Sequence, residues 1–156
     1  MKIIEQEEVR KLLQPKDCIQ LMAEALKGLE SGEYAQPARL ITVMPNTAKF
    51  GFMPAYVGDY FGAKVISAFA PNMGTKYPSH IGYVMLFESA HSTVAGMIEA
   101  GSITEIRTGA VSAAATDLLA RKDSHKLALI GAGAQARSHL AAIREIRDIT
   151  SVTVYD

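Results

Sequence analysis

A glycine-containing loop near the end of the sequence has the residue types that could hold a dinucleotide. The stretch LALIGAGAQA, residues 127–136, passes from an apolar segment into two glycines and ends on the small Ala136. In this pattern the first glycine permits a tight turn, the second lets the backbone approach a pyrophosphate, and the helix that follows offers unpaired amides. The predicted cofactor contacts in the loop are Gly131, Gly133, Ala134 and Gln135.

An acidic residue stands at the distance from this loop that nucleotide binding requires. Asp156 follows 20 residues after Ala136, at the end of the next β-type run. A carboxylate at that place can accept hydrogen bonds from both ribose hydroxyls and would repel a 2'-phosphate, which favours NAD over NADP while leaving NADP possible. The alternative is a structural turn without a ligand, but the order strand, loop, helix, strand and acid favours a dinucleotide site.

Two cations, Arg107 and Lys64, stand where a cation is costly unless it has a function, and a third, Arg39, begins a strand. Arg107 shares a predicted helical face with Ile103, Ala110, Val111 and Ala114. A long cation on a buried face needs an anion, which a substrate carboxylate or a structural ion pair could supply. Lys64 lies in an apolar strand, where the alternative to a proton-transfer role is snorkelling at the sheet edge. Arg39 begins a strand and by itself could be a solvated edge charge.

The elements that must position these residues follow two patterns. Residues 15–32 have apolar positions at helical spacing, whereas residues 38–100 contain about five short β-rich runs separated by turn residues, typical of a mainly antiparallel sheet. A helix then begins at Ser102, with Glu105 completing a predicted capping box, and a strand, a helix and a strand follow. The predicted class is α/β: an α+β domain over 1–122, then the first β-α-β unit of a Rossmann domain over 123–156.

Two strands are fewer than a dinucleotide domain contains, since such a domain has about six parallel strands. We therefore expect the 156 residues to be the front part of a longer protein. A naturally short chain that borrows strands from a second copy is the alternative. In either case we expect the chain alone to have weak activity or none.

Composition excludes several kinds of partner. Lys plus Arg equals Asp plus Glu at 16 each, without a basic run, which argues against nucleic acid and acidic lipid. No apolar stretch is long enough for a membrane helix and the N-terminus is unlike a signal peptide, so a cytoplasmic location is expected. Cys18, the single cysteine, is predicted to be a buried filler. No histidine, cysteine or carboxylate spacing is typical of a metal site, so none is predicted.

Several segments together resemble one known family. They are PARL, FGAKVIS, PSHIGYVMLFES and ITEIRTGAVSAAATDLLA, the last running into LALIGAGAQARSH. In order and spacing they are similar to the ornithine cyclodeaminase and mu-crystallin family, whose members are about twice as long. The resemblance implies a homodimer, with a sheet-rich substrate-binding and dimerisation domain followed by a Rossmann domain.

The resemblance also implies roles for individual residues. Arg39 of PARL and Arg107 of EIRTG would bind the substrate carboxylate, and Lys64 of GAKVIS would be the substrate-side, catalytic lysine. The implied cofactor contacts outside the loop are Ser79, His80 and Thr108. The aspartate that is catalytic in the cyclodeaminases lies later in the family pattern than this sequence extends.

The implied chemistry is hydride transfer between a nicotinamide and the α-carbon of a small amino or imino acid. Our first expectation is an NAD(P)-dependent enzyme that cyclises and deaminates ornithine-like substrates. A ketimine or imine reductase, or an amino-acid dehydrogenase, is the alternative within the family. A crystallin-like protein that binds a small ligand without turnover is the alternative from another class.

Overall fold

A six-stranded sheet dominates the first of two units into which the chain divides. The computed structural model describes residues 1–156, and the sheet unit comprises Met1–Val9 and Lys27–Ser102. The strands are β1 (Lys2–Ile4), β2 (Leu40–Val43), β3 (Lys49–Val57), β4 (Tyr60–Ala68), β5 (His80–Glu88) and β6 (Val94–Glu99), in the spatial order β1-β6-β5-β4-β3-β2. Strands β2 to β6 are antiparallel and β1 is parallel to β6, so the predicted mainly antiparallel sheet is confirmed.

The strands of this sheet are joined by turns with specific polar contacts. Between β3 and β4 the chain turns at Gly58, whose φ of 55° suits glycine. Between β5 and β6 the Glu88 carboxylate accepts hydrogen bonds from the backbone amides of His91 and Thr93 at 2.9 Å and from the Thr93 hydroxyl at 2.8 Å. The amide of Thr93 and the other donors lower the pKa of Glu88. The charged carboxylate therefore holds this turn closed.

The second unit, Arg10–Leu26 with Ile103–Asp156, contains most of the helical residues. The helices of the chain are α1 (Gln6–Leu12), α2 (Pro15–Ser31), α3 (Ala100–Leu119) and α4 (Ala134–Arg144), with a short 3-10 helix at Ala70–Asn72. Strands β7 (Lys126–Ile130) and β8 (Ser151–Tyr155) precede and follow α4 in the chain. They pair in parallel, as the predicted β-α-β unit requires. None of the helices has the length and hydropathy needed to cross a membrane.

Small side chains form the core of the second unit. Ala113 of α3 and Ala142 of α4 are at most 1% exposed, and with Ile143 they form a buried cluster. Partly buried residues packed on it are Ile19, Leu127, Ile146 and Ile149. Because alanine side chains are short, the backbones of α3 and α4 can approach closely at this cluster.

The N-terminus of α3 differs from the prediction. The helix begins at Ala100, and its cap is the Glu99 carboxylate. This carboxylate accepts hydrogen bonds from the backbone amides of Gly101 and Ser102 at 2.5 and 2.8 Å. The predicted capping box is therefore wrong: the Ser102 hydroxyl is buried without a hydrogen-bond partner, and Glu105 pairs with Arg10 at 2.6 Å. Since β6 runs directly into α3, the last strand residue occupies the capping position.

The C-terminus of α3 is closed by a buried arginine. The Arg147 side chain is 5% exposed, and its guanidinium lies 2.5 Å from the Asp117 carboxylate. It also donates to backbone carbonyls of Thr116, Asp117, Ala120 and Arg121. Carbonyls in the last turn of a helix lack intrahelical donors, so Arg147 satisfies several of them at once.

Candidate functional site

The glycine loop has the backbone conformation that its sequence predicts. Gly131 follows β7 with a φ of 98°, in the region that favours glycine, and its amide donates to the Tyr155 carbonyl at 2.7 Å. Gly133 is extended and directly precedes α4. A Cβ atom built on Gly131 or Gly133 would meet no atom within 4 Å. The space above both glycines is therefore open to a ligand.

The first turn of α4 presents unpaired backbone donors beside this space. The amides of Ala136 and Arg137 donate to the Gly133 carbonyl, but Ala134 and Gln135 are the first two helical residues and have no intrahelical acceptor. Gly133, at the capping position, has no side chain that could accept hydrogen bonds from these amides. The helix N-terminus therefore keeps its partial positive charge, as a phosphate site requires.

The predicted acid lies against the same loop. Asp156 follows β8, and its Oδ1 accepts a hydrogen bond from the Ala132 amide at 3.0 Å. The residue is exposed, so its carboxylate can also face a ligand. Parallel pairing of β7 with β8, in which Ile130 lies opposite Tyr155, brings the two segments together. The sequence spacing thus corresponds to a direct contact between acid and loop.

Helix α3 carries two further predicted residues. Arg107 is half-buried and forms no salt bridge, so the structural ion pair considered as its alternative is absent. Burial raises the pKa of the Cys18 thiol, and the positive charge of Arg107 partly opposes this effect. Cys18 is 1% exposed, in agreement with the predicted filler role. The Thr108 hydroxyl donates to the Thr104 carbonyl at 2.5 Å, so its oxygen remains available as an acceptor.

A contact between α3 and α4 was not predicted from the sequence. Ser112 Oγ lies 2.9 Å from His139 Nε2, and His139 Nδ1 lies 2.6 Å from the Gln135 carbonyl oxygen. One turn earlier on α3, a Cβ atom at Gly109 would fall 2.5 Å from the Ser138 carbonyl oxygen. The four-residue spacing of Gln135 and His139 on a helix was the only sequence signal for part of this arrangement.

In the sheet unit, Lys64 lies within β4, and Arg39 directly precedes β2. Lys64 of β4 pairs with Met53 of β3, while Leu40 of β2 pairs with Phe52. Arg39 is exposed, and the next bridge on its N-terminal side joins Ala35 to Tyr56 of β3.

Ser79 and His80 lie where β5 begins. His80 pairs with Ala68 of β4, and the Ser79 carbonyl accepts the Phe69 amide at 2.8 Å. The Ser79 hydroxyl lies 3.1 Å from His80 Nδ1. Backbone pairing therefore fixes both residues at one end of the sheet. These residues belong to the sheet unit with Arg39 and Lys64, whereas the predicted residues of α3, the loop and Asp156 belong to the other unit.

Comparison with known proteins gives a consistent result over the whole chain. The model of the ornithine cyclodeaminase/mu-crystallin family matches residues 1–156. Mouse ketimine reductase mu-crystallin is 35% identical over 127 residues, which are 80% of this chain and 40% of that protein.

Two solved structures are similar in fold throughout. Thermococcus litoralis Δ(1)-pyrroline-2-carboxylate reductase, in complex with NADH and L-proline, has a TM-score of 0.93 and 33% identity, covering 100% of this chain and 49% of that one. An archaeal alanine dehydrogenase dimer with bound NAD has a TM-score of 0.95 and 28% identity, covering 100% and 48%. The chain thus spans about half the length of the relatives it matches.

Proposed function

Because the chain belongs to the ornithine cyclodeaminase/mu-crystallin family, we propose that the protein catalyses NAD(P)-dependent hydride transfer at the α-carbon of a small amino acid or its imine. The observation that carries this proposal is the glycine loop. An uncapped helix N-terminus, open space above two glycines and a carboxylate bonded to the loop occur together within residues 131–156.

The residues of the loop fit a dinucleotide by their chemistry. Unpaired amides of Ala134 and Gln135 would donate to the pyrophosphate, and Asp156 would accept ribose hydroxyls. The bound nicotinamide would supply a two-electron hydride donor or acceptor. Ser79, His80 and Thr108 are proposed as further cofactor contacts, since each has a hydroxyl or ring nitrogen that can hydrogen-bond a nucleotide.

The proposed substrate-binding residues would hold the carboxylate of the substrate and transfer a proton at its nitrogen. Arg107, half-buried and without an acidic partner, would bind the substrate carboxylate through its two parallel N–H donors, and Arg39 would contribute a second cation. Holding the carboxylate orients the α-carbon for hydride transfer. Lys64 would donate or accept the proton at the substrate nitrogen.

Cofactor binding is the first test of the proposal. Titration of the natural-length protein with NADH and NADPH, followed by nucleotide fluorescence, should give saturable binding with NADH preferred. Replacing Asp156 with alanine should reduce that preference, because the repulsion of a 2'-phosphate is lost. Absence of binding to either nucleotide would refute the proposal.

The direction of the reaction is tested by product analysis. Reduction of a cyclic imine is favoured over cyclodeamination by the similarity to mouse ketimine reductase and to the pyrroline-2-carboxylate reductase structure. Oxidation of NAD(P)H with a cyclic imine, measured beside ammonia release from ornithine, separates the two reactions. Nucleotide binding without turnover of either substrate would instead support a non-enzymatic binding protein.

The role of Arg107 is tested by a conservative substitution. Arg107→Lys keeps the charge but loses the paired donors, so kcat/KM should fall by about 10- to 100-fold, the value of one charged hydrogen-bonding interaction. Arg144→Lys, at an exposed position of α4, is the matched control and should leave kcat/KM unchanged. Equal kcat/KM for the Arg107 variant and the wild type would remove Arg107 from the site.

A homodimer through the sheet is also part of the proposal. One face of the sheet carries apolar side chains that are 39–63% exposed: Ile3, Leu40, Phe50, Phe52, Tyr56, Ile81 and Val94. Contiguous exposed apolar side chains are typical of interaction surfaces, and a self-complementary face suits a two-fold dimer. We assign the same face of a second copy as its partner.

Two substitutions in one strand test the dimer. Leu40 and Val43 of β2 are 63% and 65% exposed but point to opposite faces of the sheet. Leu40→Glu should shift the mass measured by light scattering from dimer to monomer, and Val43→Glu should not. A monomeric wild type would refute this assignment.

A cytoplasmic location, consistent with the single buried Cys18, is likewise proposed.

A further inference from the structure

We propose that Ser112 and His139 are positioning residues that fix the first turn of α4, and with it the phosphate-binding amides, relative to α3. This inference rests on the proposed function, because it concerns how the loop at residues 131–135 holds its nucleotide. The observation behind it is a hydrogen-bonded chain from the Ser112 hydroxyl through both ring nitrogens of His139 to the Gln135 carbonyl.

The chemistry of the partners fixes the direction of this chain. A carbonyl oxygen can only accept, so His139 Nδ1 must carry the proton that it donates to Gln135. In the neutral ring Nε2 then has a lone pair, and the Ser112 hydroxyl is the donor that satisfies it. The imidazole is thus held at both nitrogens, one by α3 and one by the first turn of α4. Its ring orientation follows from these two bonds.

The Gln135 carbonyl is held from two sides. Besides His139 Nδ1, the Ser138 hydroxyl donates to the same oxygen at 3.0 Å. Gln135 is the second residue of α4, and its own amide is one of the unpaired donors beside the open space. Restraining this residue therefore restrains the part of the helix from which a phosphate would be bound.

On α3, Ser112 lies one helical turn from Thr108, which is a proposed cofactor contact. Thr108 and Ser112 are four residues apart and share a helix face. Between them Gly109 lets the α3 backbone approach the Ser138 carbonyl so closely that a Cβ would fall 2.5 Å from it. The hydrogen bond from Ser112 thus sets the position of the α4 first turn along α3, and so its distance from Thr108.

The polar pair is not needed to pack the helices together. Apolar contact is already provided by Ala113 and Ala142, which are at most 1% exposed, while Ser112 and His139 are only half-buried. A merely structural pair would affect stability and little else. A positioning pair should affect nucleotide affinity in excess of any change in stability.

The test measures NADH dissociation constants on the natural-length protein well below its melting temperature. Ser112→Ala removes the donor, and His139→Asn keeps an amide near the Nδ1 position but loses the Nε2 acceptor. Each should raise the NADH Kd about three- to tenfold, the value of one neutral hydrogen bond. The double variant should be little worse than either single variant, because both break the same bond. Substrate KM at saturating NADH should stay within about twofold of wild type.

Two variants serve as controls. His125 Nδ1 lies 2.8 Å from the Asp148 carbonyl oxygen, as His139 Nδ1 lies near Gln135, but no serine contacts its other nitrogen. His125→Asn is therefore the matched control and should leave the NADH Kd unchanged. Ser112→Thr keeps a hydroxyl and should recover most of the affinity lost in Ser112→Ala.

The outcomes separate this inference from the proposed function. If the wild type binds NADH and the Ser112 and His139 variants bind it equally well, with or without a lower melting temperature, the positioning role is overturned and the proposed function stands. If the wild type does not bind NADH, both fall together.

Discussion

The close contact of α3 with α4 at Gly109 can be tested by adding a single methyl group. In Gly109→Ala the new Cβ would lie 2.5 Å from the Ser138 carbonyl oxygen, 2.7 Å from its carbonyl carbon and 3.1 Å from the His139 amide nitrogen. These atoms belong to helix backbone and cannot rotate away. Carbon atoms attract optimally at about 3.5–4.0 Å, so the helices must separate by roughly 1 Å.

The expected cost combines three contributions. Overpacking of this kind costs about 1–3 kcal/mol. Alanine is better than glycine within a helix by about 1 kcal/mol, which acts in the opposite direction. A separation of 1 Å breaks the hydrogen bond from Ser112 to His139, which costs about 1 kcal/mol. The net effect is a free energy of unfolding lower by about 1–3 kcal/mol.

Urea denaturation of the natural-length protein measures this difference, and an exposed alanine of the same helix supplies the control. Ala115→Gly reports the local preference of α3 for alanine over glycine without any tertiary contact. If Gly109→Ala stabilises the protein by as much as Ala115→Gly destabilises it, the contact relaxes without cost and the geometric argument is refuted. We also expect the NADH Kd to rise in Gly109→Ala and to stay unchanged in Ala115→Gly.

Three further predictions concern the loop, a turn and a helix end. Gly131→Ala forces alanine to a φ of 98° and should cost about 1–3 kcal/mol in urea, whereas Gly133→Ala, extended and unobstructed, should keep its stability but weaken NADH binding at least tenfold. Glu88→Gln should lower the melting temperature at pH 7. Because the pKa of Glu88 is lowered by folding, its stabilisation is present above its ordinary value of 4.5 and lost as pH falls through the folded-state pKa, so wild type and variant should converge in acid. Arg147→Met should cost about 2–4 kcal/mol in urea, since it leaves several α3 carbonyls without donors, and an equal cost for exposed Arg121→Met would contradict this.

Local patterns in the sequence were sufficient to predict most of the elements. Turn residues separated the five β-rich runs that form β2 to β6, and apolar spacing predicted α2. The loop at Gly131 and Gly133 was predictable in conformation as well, because a positive φ and a close ligand approach both require glycine. The contact between Asp156 and the loop followed from chain geometry, since parallel strands joined by one helix end side by side.

Contacts between distant elements could not be predicted in the same way. The capping box at Ser102 was wrong because the sequence does not show that β6 continues into α3 without a loop, which makes Glu99 the cap. Arg147 follows α4 and meets α3 only after folding, so no local pattern indicates its partners. Ser112 and His139 are separated by 27 residues, and neither is unusual where it stands.

Helix α3 is positioned by the packing of its small residues. Four of its alanines, Ala100, Ala110, Ala113 and Ala114, are buried, and Gly109 is in close contact with the α4 backbone. Small residues at these positions let neighbouring backbones approach, which fixes the helix axis. Arg107 therefore lies on a helix whose position is set by backbone contacts. It follows that enlarging a residue at the α4 contact should impair substrate and nucleotide binding together, whereas enlarging exposed Ala115 should impair neither.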